Sequence, residues 1–297
     1  MRFMQVASRA FGTPLLLAPK PGLLALDALG GYLHRRMRED GGRGRMRMDD
    51  DGWGDPPPRT ASLPFGIFEL GNKPFAVIDG VALILVEGTL VNRLGSLEPY
   101  CGMTGYDGLR TQITGALQDP AVKAIVLYVD SPGGEVAGCF DLADFIFDAR
   151  AVKPVYSIVD GLACSAAYAL ASATSRIAAS ETAIVGSIGV IVGHCDFSAM
   201  LDKAGIKVTL IYAGEQKAAG NPYEALPEET RAEIQAEIET VYSMFVDRVA
   251  RYRGLGGDAV RATQSRSYLA GAATGLGLSD IVAPPTDALA AIIQSLE

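Results

Sequence analysis

Ser165, in Asp160-Gly161-Leu162-Ala163-Cys164-Ser165-Ala166-Ala167-Tyr168, is the residue of this chain best placed by its surroundings to do chemistry. A run of β-type residues, Val155 to Val159, leads into it, and a helix of small residues is expected from about Ala163 to Ala173. Ser165 therefore falls on a strand-to-helix turn. A hydroxyl there meets a substrate with little side-chain bulk around it, and the unpaired N–H groups of a first helical turn can face a developing negative charge. Cys164 beside it is also a nucleophile by type. A serine needs a base, commonly a histidine oriented by a carboxylate. The chain has two histidines, His34 and His194, and neither stands in a pattern that marks it as a base. A lysine does the same work when burial keeps its amine neutral, because desolvation disfavours the ammonium form. Lys217, in Ala213-Gly214-Glu215-Gln216-Lys217-Ala218-Ala219-Gly220, follows a strand-like run and precedes a glycine-bearing loop. Spacing alone favours a solvated loop lysine there.

The elements that must hold these residues alternate along the chain. Phe75–Ile78 and Val81–Val86 read as neighbouring strands, Tyr106–Leu117 as a helix, Val122–Val129 as a buried strand and Val136–Ala149 as the next helix. Val155–Val159 and Arg176–Ala179 continue the strands, Ala183–Val190 is an apolar run broken by glycines, Phe197–Ala204 reads as a helix, and Lys207–Tyr212 as a further strand. Glu228–Arg253 is the clearest long helix, with Ile234, Ile238, Val241, Tyr242, Phe245, Val246, Val249 and Tyr252 at helical spacing. A short helix is expected at Asp287–Ser295. Strands alternating with helices indicate an α/β fold with a mainly parallel sheet covered on both faces. The strand at Val129 leads into Asp130-Ser131-Pro132-Gly133-Gly134-Glu135, at the strand end where ligand loops of such sheets collect. Two glycines there allow a close approach of backbone to a bound chain.

At 297 residues and 49% apolar, the chain has enough material for a substantial core. Its net charge of -8 argues against a dedicated nucleic-acid binder, and specific nucleic-acid binding is not expected. Cys101, Cys139, Cys164 and Cys195 show neither CxxC spacing nor disulfide-scaffold density, and no metal-ligand pattern surrounds them. Apolar runs long enough for a membrane span are absent. Residues 1–63 read as a peripheral arm and linker: a candidate amphipathic stretch at Leu23–Met37, clustered arginines, Asp49-Asp50-Asp51, Trp53 and Pro56-Pro57-Pro58. Residues 64–284 read as the compact domain and 285–297 as a C-terminal helical tail.

Four separated pieces, Asp130-Ser131-Pro132-Gly133-Gly134, the Ser165 turn, Gly186-Ser187-Ile188-Gly189-Val190 and the Lys217 loop, together resemble the signal peptide peptidase A family of serine peptidases. They are most similar to its phage and prophage head-maturation branch. The resemblance runs from about Phe75 to Val282 and implies a ClpP/crotonase-like fold with repeated β-β-α units. It implies Ser165 as nucleophile, Lys217 as general base, Ser187 as the hydroxyl that orients the lysine, Gly134 and Ala166 as oxyanion-hole N–H donors, and Gly133 as part of the substrate groove. Many relatives carry glycine after the serine where this chain has Ala166. The chemistry so implied is peptide-bond hydrolysis without cofactor or metal, by a ring-like homo-oligomer acting on polypeptide. The substrates implied are scaffold, portal or other prohead proteins, in the cytoplasm at an assembling phage head. Three other readings stay open at this level: a cellular peptidase of signal peptides or membrane-protein fragments, a catalytically silent capsid-assembly scaffold, and a crotonase-like acyl-CoA enzyme.

Overall fold

The structure, a computed structural model, describes residues 15–17, 60–63, 65–69, 73–94 and 102–297. Most of the arm, including Leu23–Met37, Trp53 and the triple proline, lies outside the described residues, as does Cys101. The strands are β1 (Leu15–Leu17), β2 (Thr60–Leu63), β3 (Gly66–Glu69), β4 (Ala76–Ile78), β5 (Val81–Val91), β6 (Met103–Gly105), β7 (Ala124–Glu135), β8 (Val155–Cys164), β9 (Arg176–Ala179), β10 (Ile184–Gly186), β11 (Ser267–Leu269) and β12 (Ile281–Val282). The helices are α1 (Tyr106–Gln118), α2 (Cys139–Ala149), α3 (Ala166–Ser172), α4 (Ser198–Lys203), α5 (Glu228–Arg253), α6 (Gly257–Ala262), α7 (Ala270–Gly275) and α8 (Pro285–Gln294).

The main sheet runs β11-β10-β8-β7-β5-β4, with β6 beside β5, β9 beside β8, β12 beside β9 and β1 beside β7. The pairings β5–β7, β7–β8, β8–β9, β8–β10, β5–β6 and β9–β12 are parallel; β4–β5, β10–β11 and β1–β7 are antiparallel. This is an α/β fold with a mixed, mostly parallel sheet. The β4–β5 hairpin turns on Asp79-Gly80, both at positive φ (46° and 83°), as a two-residue turn matched to strand twist requires. Central strands are apolar along their length because both faces are covered: Ile125, Leu127 and Val129 face one core cluster, Val126 and Tyr128 the other. Leu109 and Ile113 of α1, Leu142 and Ile146 of α2, and Phe245, Val246 and Val249 of α5 fill the first cluster. Burying each of these larger side chains contributes roughly 1.5–3 kcal/mol. Ala288 and Leu289 of α8 pack on the opposite face, so the C-terminal helix closes the second layer.

Several boundaries differ from expectation. β5 continues past Val86 through a register shift between Glu87 and Thr89, and reaches Val91. β7 does not stop at Val129 but carries Asp130 to Glu135 as strand, paired with Thr89 and Leu90 of β5. Residues 207–212 form no strand; Val208, Leu210, Ile211 and Tyr212 are exposed. Their apolar pattern is genuine, but no described strand edge is presented to them, and a lone strand cannot pair its backbone. The long helix α5 spans the expected residues, yet only Phe245, Val246, Val249 and Tyr252 of its stripe are buried; Ile234, Ile238, Val241 and Tyr242 are half-buried.

Candidate active site

The site is built where β7 and β8 end together. Up to Val129 and Val159 the two strands pair in regular register, and after a shift Ser131 lies opposite Ala163. On its other edge β8 pairs first with β9, through Val159↔Ala179, and then with β10, from Leu162↔Ile184 to Cys164↔Gly186. The change of partner falls at Asp160-Gly161. Leu162 N–H donates to Asp130 Oδ1 (3.0 Å), and a Cβ on Gly161 would stand 2.4 Å from that same oxygen. Glycine is thus what lets the carboxylate tie β7 to β8 just before the serine.

Ser165 follows directly, with φ 55° and ψ -118°. That conformation is unfavourable for a residue bearing a Cβ and costs about 1–3 kcal/mol. It also explains why α3 starts at Ala166 and not at Ala163: Ser165 is the non-helical N-cap residue. The turn is held by Ser165 N–H donating to Gly186 O (2.8 Å) and by Ala169 N–H donating to Ser165 O (2.9 Å). The Ser165 hydroxyl donates to Gly189 O at 3.4 Å, a long bond, and the residue is fully buried. Every residue of α3 is buried; its alanines leave room for the helix to lie against the sheet, and Tyr168 anchors it by donating to Leu278 O (3.0 Å). As the first residue of α3, Ala166 has an N–H with no intrahelical acceptor.

The opposing wall is the end of β7. Ser131 Oγ donates to Gly88 O (2.6 Å) and accepts from Gly133 N–H (3.2 Å). Tyr106 hydroxyl donates to Glu135 O (2.7 Å), and Asn92 N–H donates to Glu135 Oε2 (2.7 Å). Gly133 adopts φ 113°. Gly134 lies so close to β5 that a Cβ would be 1.8 Å from Leu90 O. Tyr106 and Asn92, which hold Glu135, and the Ser131 hydroxyl, which holds Gly133, are supports of this segment that sequence reasoning missed. Only the Ser131 hydroxyl had a local signal, its place two residues before the glycine it caps.

Ser187 is brought close to the serine turn: Gly186 O accepts from Ser165, and Ser187 N–H donates to Arg266 O (2.9 Å). Ser187 is buried and also has a positive φ of 55°. Beside Gly189 a cavity of about 470 Å³ is lined by Gly189, Val190, Ile238, Tyr242, Gln264 and Ser265. Lys217 stands apart. It is exposed on a 3-10 turn, Glu215–Ala218, and its side chain has no hydrogen-bond or ion-pair partner among the described residues. The single chain therefore assembles Ser165, Ser187, Gly133, Gly134 and Ala166 around one end of the sheet, without a contact from Lys217. His194 Nε2 lies 3.1 Å from Asn221 O, a bond within its own loop region.

Cys164 is turned away from the serine's environment. Its thiol faces Ile184 O (3.6 Å) and Ser267 Oγ (4.0 Å), and burial pushes its pKa up to about 11. A thiol so placed is a weak nucleophile at neutral pH. Cys139 is similar: burial raises it to about 12, and its Sγ lies 3.7 Å from Ala166 O. Among the described residues no cluster of histidine, cysteine and carboxylates suited to a metal ion occurs, and no helix is long and apolar enough to cross a membrane.

The family model for peptidase family S49 matches residues 148–296, which include Ser165, Ser187 and Lys217. The chain is 37% identical to the capsid assembly protease C of Escherichia phage lambda, over 98% of this chain and 66% of that protein. It is 38% identical to the head-tail preconnector protein GP5 of Enterobacteria phage P21, over 98% of this chain and 57% of that protein. The chain thus spans less than two thirds of the length of these two relatives. Among solved structures, a point mutant of ClpP1 from Listeria monocytogenes aligns at TM-score 0.44 and 14% identity, over 70% of this chain and 94% of that one, a likeness too distant to carry an argument. On the match of its residues 148–296, the chain belongs to peptidase family S49.

Proposed function

We propose that this protein is a serine endopeptidase in which Ser165 attacks the peptide carbonyl and Lys217 is the general base. The observation that carries the reading is the strained Ser165 turn, at φ 55°, set at the end of β8 next to the glycine-bearing end of β7. Strain of this kind is kept where the surrounding structure over-determines it, and it clusters at functional sites. The role of Lys217, that of Ser187 and the ClpP/crotonase-like assignment of the fold come from the family resemblance.

In the proposed reaction a neutral Lys217 amine takes the Ser165 proton as Oγ bonds to the carbonyl carbon. The N–H groups of Gly134 and Ala166 receive the oxyanion, and Gly133 shapes the groove. The lysine, now protonated, gives its proton to the departing amine, and water then cleaves the acyl-enzyme with the same lysine as base. Ser187 orients the lysine amine. For this to work Lys217 must lose its water, since the solvated amine is an ammonium at neutral pH. The segment leading to it carries exposed Ile191, Phe197, Met200, Ile206, Ile211 and Tyr212, apolar side chains that support the proposed ring-like homo-oligomer: covering them would also dry the lysine's surroundings.

The relatives' names, a capsid assembly protease and a head-tail preconnector protein, support prohead proteins as substrates, scaffold or portal among them, and an assembling phage head as the place of action. The test is cleavage of an unfolded polypeptide and of candidate prohead proteins, with product mass mapping, by the unaltered protein and the Ser165→Ala and Lys217→Ala variants. Loss in both folded variants is expected, at least about 100-fold for Lys217→Ala. Unchanged acyl-enzyme formation in Ser165→Ala, seen by intact mass, would overturn the assignment.

A further inference from the structure

β1 (Leu15–Leu17) pairs antiparallel with the glycine-bearing end of β7: Leu15 opposite Glu135, Leu16 opposite Gly134, Leu17 opposite Gly133. The other edge of the same residues is already taken, since Thr89 and Leu90 of β5 pair with Gly133 and Gly134. A strand has two hydrogen-bonding edges, so β1 occupies the edge from which β8 has departed after Ser131↔Ala163. Counting two residues along each parallel strand from that last pair brings Gly133 level with Ser165. β1 therefore runs in the opening between the end of β7 and the serine turn.

This opening has the features of a slot for an extended peptide. One wall is a strand edge whose main-chain donors and acceptors β8 leaves to another strand after Ser131↔Ala163, fixed from behind by Tyr106, Asn92 and Ser131. Adding a strand to such an edge gives affinity through main-chain hydrogen bonds that any extended sequence can make. The segment seated there is three consecutive leucines bracketed in the sequence by Pro14 and Pro19, residues that lack the N–H needed to prolong a ladder. The complete burial of Ser165 fits a slot that is filled.

We infer that the chain's own residues 15–17 are an internal occupant of the substrate slot, pairing antiparallel with Gly133–Glu135 in the place that an extended apolar peptide takes. The inference rests on the peptidase reading for the word substrate; the pairing itself does not. As an occupant, β1 competes with added peptide, and its release opens the edge of β7 beside Ser165. Because the contact is main chain to main chain, the occupant's affinity depends on its N–H groups more than on its side chains.

The experiment uses the full chain carrying Ser165→Ala, with and without Leu16→Pro, which removes one N–H and disfavours pairing at the centre of β1. Hydrogen exchange is followed for the peptide covering residues 131–137, and binding of a labelled peptide of residues 11–20 is measured by fluorescence anisotropy. Leu16→Pro is expected to speed exchange in that peptide by about tenfold or more and to tighten binding of the labelled peptide by a similar factor. Added peptide should restore the protection. Equal exchange and equal affinity in the two proteins would overturn the inference. With Ser165 restored, Leu16→Pro should lower KM for an unfolded polypeptide at unchanged kcat. If neither protein cleaves it while exchange and binding still shift, the peptidase reading fails and the self-occupied slot stands.

Discussion

Replacing Ser165 by glycine and by alanine separates what its backbone costs from what its hydroxyl does. At φ 55° and ψ -118° a Cβ is strained by about 1–3 kcal/mol, and glycine is not. Glycine loses about 0.5–1 kcal/mol of that advantage through the greater freedom of its unfolded chain. The hydroxyl contributes little to stability, because its bond to Gly189 O is 3.4 Å long. The expected order is glycine above alanine by about 1 kcal/mol, with serine close to alanine. With an m-value of about 3 kcal/mol/M, this raises the urea midpoint of Ser165→Gly over Ser165→Ala by about 0.3 M. Both variants should be inactive in peptide cleavage. A glycine variant no more stable than the alanine variant would refute the claim that the turn stores strain. A glycine variant that still cleaves would remove Ser165 from the chemistry.

Gly134→Ala places a Cβ 1.8 Å from Leu90 O, so β5 and β7 must part; we expect a loss at the upper end of about 1–3 kcal/mol in urea unfolding, and loss of peptide cleavage. Wild-type stability and activity would show that the two strands yield more easily than their register suggests. Asp280→Ala removes the carboxylate that binds Arg253 through Nη1 (3.0 Å) and Nη2 (2.9 Å) and accepts from Ile177 N–H (2.7 Å). Arg253 is only 6% exposed but Asp280 34%, so screening limits the expected cost to about 2 kcal/mol, read from the unfolding midpoint. For Asp144, burial would raise the carboxyl's pKa, but Tyr252, Arg248 and Arg251 together outweigh it and hold it below its ordinary value. A depressed folded-state pKa means stability that is present above the unfolded value, near 4, and lost as pH falls through the folded one. Asp144→Asn should therefore lower stability at pH 6 to 7 and flatten its decline below pH 4; an unchanged pH profile of the unfolding midpoint would contradict the assignment.

The parts of this protein legible in its residues alone are those decided locally. The neighbouring strands Phe75–Ile78 and Val81–Val86, the helix Glu228–Arg253 and the small-residue run after Ser165 each carry their own conformational preference or periodicity. The apolar strand Ile125–Val129 was readable because a strand covered on both faces has no polar alternation. Three features depended on partners far along the chain. Pro132-Gly133-Gly134 reads as a ligand loop beyond a strand end, yet Thr89 and Leu90 on one edge and Leu15–Leu17 on the other hold its end as strand. Residues 207–212 read as a strand, yet no described edge accepts them, so they stay exposed. Lys217 could be nominated as a base from chemistry and family resemblance, but whether its amine is dry depends on what covers its loop, which no spacing along a chain encodes. Residue type and short-range pattern thus determined which groups could react and which elements would carry them. Tertiary pairing decided the conformation of Ser165 and the edge beside it, because hydrogen bonds between strands compel a positive φ that serine does not adopt by itself.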